Sequence, residues 1–304
     1  MKNVGKVFEK GNDKAIIFRG ENFKPKTHTR VFLNSDGLPT YEAKEVGLAE
    51  IKNEKFPYDK SLTVVANEQD SFFDVVEVAI GEVFPKLKGK LKHLSHGILK
   101  LPSGKMSSRF GNVITAEALI SDVKEKIKEK MKDREMDVEQ IDRVSEQIAI
   151  GAIKYSILRQ AIGGDIIFDF DKSISFEGDS GPYLQYSAVR ANSVLQKAQK
   201  EFPQEEPLGD LETKFPSQWE TTNLERLIEK IPQIVEKAGK EFTPHYIVTY
   251  LVELAGEFNS FYATHKIIDV SDTTSPYRLA LTKAFANVMT SGLNLLGIKV
   301  PEQM

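Results

Sequence analysis

The chain has 304 residues, 41 Lys and Arg against 44 Asp and Glu for a net charge of −3, 40% hydrophobic residues and no Cys. That length suggests about two domains; the charge balance excludes capture of nucleic acid by whole-surface attraction, and the missing Cys excludes disulfides and Cys-ligated zinc. No run approaches the roughly 18–20 apolar residues of a membrane span, and Met1 to Lys6 lack the apolar stretch of a secretory signal, so a cytoplasmic protein without membrane contact is expected.

In chain order, 15–18 (Ala-Ile-Ile-Phe) and 30–33 (Arg-Val-Phe-Leu) are short β-type runs separated by a segment containing Pro25. Asn34-Ser-Asp-Gly37 predicts a turn, and Pro39-Thr40 a cap for a helix over about 41–53. Residues 62–66 form a buried-strand pattern, and 71–84 a helix with Phe72, Val75, Val76, Ala79 and Val83 on one face. A further strand fits 93–99, in which His93 and His96 point to opposite faces and make a poor metal pair. Strand, helix, strand, helix, strand is half of a doubly wound parallel α/β sheet, whose ligands sit beyond the carboxyl ends of the strands.

Three loops leave those ends. The first, 34–41, delivers Tyr41 and, one helical turn on, Glu45. The second, 66–70, delivers Asn67-Glu68-Gln69-Asp70. The third, 100–112, lies in a basic stretch: from Lys86 to Arg109 there are seven Lys or Arg and no acid. Its Lys105-Met106-Ser107-Ser108-Arg109, begun by Gly104 and followed by Gly111, can close over phosphate oxygens, since Gly permits tight backbone approach and the cations offset negative charge. It is not a Walker loop, which needs Gly at Leu99 and Ser or Thr at Met106. Phosphate chemistry on the third loop beside an acidic pocket on the first two suits a cationic substrate next to a nucleotide; an ordinary surface turn and helix start is the bland alternative.

Beyond the loop, 115–133 is a charged helix with a mostly solvated face, and 138–160 a helix with Ile141, Val144, Ile148, Ala152 and Tyr155 as its buried stripe. Residues 166–171 alternate as a half-buried extended segment and are the expected hinge between domains 1–174 and 175–304. From Asp179 the chain is helical, capped by Asp179 or Ser180 with Pro182 in the first turn. Leu184, Ala188, Ala191 and Leu195 make its core stripe, while Tyr183, Tyr186, Arg190 and Lys197 share another face. That second face suits stacked bases and phosphates, and equally packing against a neighbouring helix. Residues 203–219 read as an acidic surface loop, followed by helices at about 222–238, 244–265 and 276–296, the last stopped by Gly297.

Lys105 to Arg109 resembles the Lys-Met-Ser-Lys-Ser signature of class I aminoacyl-tRNA synthetases, in the form typical of arginyl-tRNA synthetases. Agreement extends over Val31 to Glu45, Gly181 to Tyr186, Leu254 to Tyr262 and Gly292 to Met304. The resemblance implies a class I Rossmann half followed by an all-helical anticodon-binding bundle. It implies Tyr41, Glu45 and Gln69 as arginine-binding residues, with Glu45 where many members carry Asp. It implies His96, Gly97, Ile98, Lys105 and Met106 at ATP, Lys105, Ser107, Ser108 and Arg109 as the catalytic loop, and a tRNA(Arg) partner. ATP would act as its magnesium complex, without a protein-ligated metal, in a monomer. The implied reaction is attack of the arginine carboxylate on the α-phosphate, then transfer to tRNA.

Two departures stand out. Ser108 replaces the lysine usual in the class, and no His-x-Gly-His motif occurs, so the chain is expected to be the C-terminal part of a synthetase, incomplete for catalysis alone. The alternative is a non-catalytic tRNA-binding module, which has no need of a guanidinium pocket; a helical adaptor without RNA leaves the basic run unexplained.

Overall fold

The structure, a computed structural model, describes residues 3–100, 102, 115–201 and 220–304. The acidic loop expected at 203–219 and the signature residues Lys105, Met106, Ser107, Ser108 and Arg109 lie outside the described residues. The chain divides into two compact units: residues 1–98 with 162–164, and residues 99–161 with 165–304.

In the first unit, β1 (Glu9–Lys10), β2 (Ile16–Arg19) and β3 (Thr29–Leu33) form an antiparallel sheet in that order. Helix α1 (Tyr41–Lys55) leads to β4 (Ser61–Ala66), α2 (Asp70–Val83) and β5 (Leu91–His96). β4 and β5 pair in parallel, residue for residue, from Ser61 opposite Leu91 to Ala66 opposite His96. The parallel crossover expected from the sequence is therefore β4–α2–β5, whereas 30–33 pairs with β2 and not with β4. Alternating Phe residues explain that choice: Phe18 and Phe32 point inward from the antiparallel strands, and Phe18 stacks on Phe23 with ring centroids 4.7 Å apart, over Val75 and Ala79 of α2. A buried ring of this kind contributes about 1.5–3 kcal/mol by transfer alone. On the neighbouring face of α2, Val76 and Ile80 meet Ala49 of α1 and Leu87.

In the second unit, β6 (Leu99–Lys100) pairs in parallel with β7 (Ile166–Ile167), so the stretch expected as one strand at 93–99 is two. The segment expected to be extended over 166–171 is a strand only to Ile167. Asp169 then accepts bonds from the backbone amides of Asp171 and Lys172 and starts a short helix, α5 (Phe170–Ser173). Between them run α3 (Ala116–Met131) and α4 (Val138–Leu158). Thr115 caps α3, and Asp137 with Gln140 forms a reciprocal capping box on α4, with bonds of 2.8 and 3.2 Å. Leu119, Val123, Ile127 and Met131 of α3 face Val144, Ile148 and Ala152 of α4. On the mostly solvated charged face expected for α3, Lys124 is an exception, only 16% exposed and bonded to Asp142 and Glu146, each at 2.9 Å.

The bundle consists of α6 (Gly181–Glu201), α7 (Asn223–Glu241), α8 (His245–Thr264) and α9 (Ser275–Leu295). Ser180 is the cap of α6, its hydroxyl accepting from the Tyr183 amide at 3.1 Å, while Asp179 is engaged by the Tyr155 hydroxyl and by Arg159. Leu184, Ala188 and Ala191 of α6 join Ile247, Leu251, Leu254 and Phe258 of α8 and Phe285 and Met289 of α9 in one core. The rings of Phe258 and Phe285 stack at 3.8 Å. Helices α4 and α6 approach through glycine: a Cβ on Gly181 would lie 2.5 Å from the Gly151 carbonyl oxygen. The left-handed Gly297 (φ +68°) closes α9.

Candidate functional site

Tyr41 opens α1 because the turn before it is locked. The Asn34 side chain accepts from the amides of Asp36 and Leu38 at 3.1 and 2.8 Å, and the Thr40 hydroxyl donates to the Val31 carbonyl at 2.8 Å. Tyr41 is 77% exposed, with Lys44 Nζ 5.2 Å from its ring centre. Glu45, one turn on, is half-buried and lines a small cavity with Ala49, Lys52, Ser61, Thr63 and Phe73. The two residues share a helix side, yet one is open and the other partly enclosed.

The second loop is the turn Asn67–Gln69 between β4 and α2. Arg30 of β3 ties the starts of the two helices together: it donates to Glu42 of α1 and to the Ser71 hydroxyl of α2, both at 3.2 Å, and lies over the Phe72 ring. Arg30 thus holds the segment bearing Tyr41 and Glu45 beside the one bearing Gln69. Nothing in the sequence beyond an arginine in a β-type run signalled this.

At the carboxyl ends of β4 and β5, His96 is exposed, Gly97 buried and Ile98 half-buried. His96 Nδ1 is 2.9 Å from the Gly97 carbonyl oxygen. The segment Ile162–Gly164 crosses here: Asn67 Nδ2 donates to the Gly163 carbonyl at 3.1 Å, and the Gly163 amide donates to the Ser95 carbonyl at 3.2 Å. Gly163 has φ +78°, the conformation that lets the segment turn back at these strand ends. His93, on the opposite side of β5 from His96, stacks on Phe73, and its amide and Nδ1 contact Glu77 at 2.7 and 2.9 Å.

Much of the described basic stretch already has local partners. Lys88 pairs with Glu82, Lys90 donates to the Tyr58 carbonyl, and Lys100 pairs with Asp165. The expected attraction for a polyanion is correspondingly weaker there than the residue count suggests.

On α6, Tyr183 and Arg190 meet α8: Asn259 donates to the Tyr183 hydroxyl at 2.9 Å and accepts from Arg190 at 2.5 Å. The Arg190 guanidinium lies 4.7 Å from the Tyr186 ring centre and 5.2 Å from that of Tyr262. Lys197 is exposed and pairs with Glu201 at 3.6 Å. Tyr183, Tyr186 and Arg190 therefore take part in helix packing, and Lys197 stands apart from them.

A parallel βαβ unit followed by a helical bundle is the build of a class I synthetase body. Residues 2–170 match the family model described as tRNA synthetases class I (R), catalytic domain, and residues 184–304 match the DALR anticodon binding domain; the chain belongs to the class I arginyl-tRNA synthetase family. It is 32% identical over 319 residues to an arginine–tRNA ligase of Parabacteroides distasonis, covering 100% of this chain and 52% of that one. It is 34% identical over 276 residues to one of Halobacterium salinarum, covering 90% and 42%. The Thermus thermophilus arginyl-tRNA synthetase structure shares the fold with a TM-score of 0.82 at 23% identity, over 98% of this chain and 56% of that one. The Plasmodium falciparum arginyl-tRNA synthetase gives 0.78 at 23% identity, over 98% and 50%. The chain spans about half the length of the curated relatives it matches. No described helix is long and apolar enough to cross a membrane.

Proposed function

We propose that this chain is the portion of an arginine–tRNA ligase that supplies the arginine pocket, one side of the ATP site and the anticodon-binding bundle. The observation that carries the reading is the match to both family models in order along one chain, with the candidates Gln69 and His96 to Ile98 at the carboxyl ends of the parallel strands β4 and β5. Glu45 would take the arginine guanidinium through paired charge-assisted bonds that a lysine substrate could not reproduce, with Tyr41 fixing its plane and Gln69 contacting the amino acid. The backbone of His96, Gly97 and Ile98 would seat the adenine. Lys105, Met106, Ser107, Ser108 and Arg109 would close on the phosphates, with Lys105 and Arg109 carrying the charge that Ser108 cannot.

The arginine carboxylate would attack the α-phosphate, forming arginyl-adenylate and releasing pyrophosphate. A ribose hydroxyl of tRNA(Arg) would then take the arginyl group and release AMP. ATP enters as its magnesium complex, the metal being part of the substrate. The chain's own contribution is positioning and charge stabilisation. Residues 1–174 would form the catalytic half and 175–304 the tRNA-gripping bundle, with Lys197 as an exposed cation of α6.

The test is arginine-dependent ATP–pyrophosphate exchange in the presence of tRNA. This chain is mixed with the half of the Parabacteroides distasonis ligase that its match leaves uncovered. Exchange is expected from the mixture, and its absence from a folded mixed complex would overturn the reading. The exposure of Tyr41 favours a second reading, a tRNA-binding module without catalysis. That reading requires tRNA binding by the same mixture with no exchange.

A further inference from the structure

The start of α1 carries two carboxylates, Glu42 and Glu45, at a spacing that makes them neighbours on a helix. The Glu42 side chain is 13% exposed and already holds a guanidinium, that of Arg30. The Glu45 carboxylate has no hydrogen-bond or ion-pair partner among the described residues. Two similar acceptors thus follow Tyr41, one taken from within the chain and one open.

A guanidinium that served only to neutralise a carboxylate would lie against both its oxygens, with two parallel bonds. Arg30 instead gives Nη1 to Glu42 of α1 and Nη2 to the Ser71 hydroxyl of α2, each at 3.2 Å. Its Nε is buried without a partner, and its guanidinium carbon lies 5.7 Å from the Phe72 ring centre. A buried donor left unbonded is unfavourable, so bonding to Glu42 alone would not select this pose. It is the pose that spans the two helices. The span has a fixed origin, because the Arg30 backbone lies opposite that of buried Phe18 in the β2–β3 ladder.

We propose that Arg30 is a positioning and specificity-determining residue of the guanidinium site. By bridging Glu42 and Ser71 it sets the spacing between the start of α1, with Tyr41 and Glu45, and the Asn67–Gln69 turn that leads into α2. By engaging Glu42 it removes the neighbouring carboxylate from competition, so that an arriving guanidinium meets Glu45 alone. One carboxylate read by a planar fork favours arginine, whereas two free carboxylates side by side would also hold a compact ammonium, which needs no fork. The inference rests on the synthetase reading above, in which Tyr41, Glu45 and Gln69 face the arginine, and adds the residue that governs their spacing and charge.

The experiment uses the full chain mixed with the uncovered half of the Parabacteroides distasonis ligase. It measures ATP–pyrophosphate exchange in the presence of tRNA with arginine or lysine as the amino acid. Arg30→Ala should raise the KM for arginine by about tenfold with the KM for ATP unchanged. It should also narrow the arginine-to-lysine ratio of kcat/KM by about tenfold, a change that mere loosening of the fold, which lowers both alike, does not produce. Adding Glu42→Gln to Arg30→Ala should restore the ratio but not the KM. Ser71→Ala, at an exposed position, cuts the α2 end alone and should raise the KM while keeping the ratio. Arg30→Lys keeps Glu42 paired and should keep the ratio as well. In the chain alone, Arg30→Ala should speed hydrogen exchange of the amides of 41–48 and 70–76 together.

An unchanged KM for arginine in Arg30→Ala or Ser71→Ala, a ratio that Arg30→Ala leaves intact, or a lost ratio that Glu42→Gln does not restore would each overturn the proposal. Should Arg30→Ala fail to fold, Ser71→Ala carries the test. No exchange from the folded, unsubstituted complex would count against the synthetase reading instead. Hydrogen exchange then decides the positioning role, which fails unless both segments respond.

Discussion

Under the proposed function, Glu45 is the carboxylate that would take the guanidinium, and it is half-buried on α1. In the mixed-half assay, Glu45→Gln should weaken arginine by on the order of 2–5 kcal/mol, because the substrate cation is left without its partner. The readout is a raised KM for arginine with the KM for ATP unchanged. Asp272 gives a residue-scale prediction about acid. Its carboxylate accepts from the Thr274 amide and hydroxyl, each at 2.8 Å, and pairs with Arg278, also at 2.8 Å. The backbone bond from Thr274 first, then the Thr274 hydroxyl and the Arg278 bond, lower its pKa from 3.8 to about 2. A folded-state value below the unfolded one means that the contribution to stability is fully present above the ordinary carboxyl range and is lost as pH falls toward about 2. The melting temperatures of the unsubstituted chain and Asp272→Asn should therefore differ by a constant amount at neutral pH and converge in that acid window.

Helix α6 brings two kinds of contact together. Arg190 bonds Asn259 and stacks between Tyr186 and Tyr262, so Arg190→Ala should lower the melting temperature through lost packing as well as lost charge. Lys197→Ala should leave melting unchanged and flatten the salt dependence of tRNA binding, measured by titration at several salt concentrations. The crossing of α4 with α6 is governed by glycine. A Cβ on Gly151 would meet Gln185 Oε1 at 2.6 Å, so Gly151→Ala should cost about 1–3 kcal/mol in denaturant unfolding. Gly239→Ala in α7, where a Cβ meets nothing within 4 Å, should stabilise by about 0.5–1 kcal/mol. The helices were legible in the sequence because their apolar spacing and caps are local: the stripe Ile247, Leu251, Leu254, Phe258 and Phe261 is buried as its period predicts. Strand partners were less legible, since alternation in 30–33 says which side chains point inward but not which strand lies alongside. Of the candidate site, Tyr41, Glu45, Gln69 and His96 to Ile98 were nameable from motif and order. Arg30 and Asn67 were not placed in working roles, because those roles depend on partners 41 and 96 residues away.

At the scale of the whole molecule, the proposed function gives the chain alone only one side of a nucleotide site, and positioning from one side would leave the phosphates largely solvated. It should show no arginine-dependent ATP–pyrophosphate exchange even with tRNA present, and clear exchange by the purified chain would contradict this. The segment Ile162–Gly164, which leaves the second unit for three residues and returns to it, has a consequence for the order of synthesis. Asn67 and its partner Gly163 are 96 residues apart, so β4 and β5 emerge from the ribosome well before the residue that fastens their carboxyl ends. In a nascent chain halted anywhere before α4 is complete, the Ser95 carbonyl and the Asn67 amide face water. The carboxyl end of the β4–β5 pair is thus the last part of the first unit to be finished, and it is finished by residues flanked on both sides by the second.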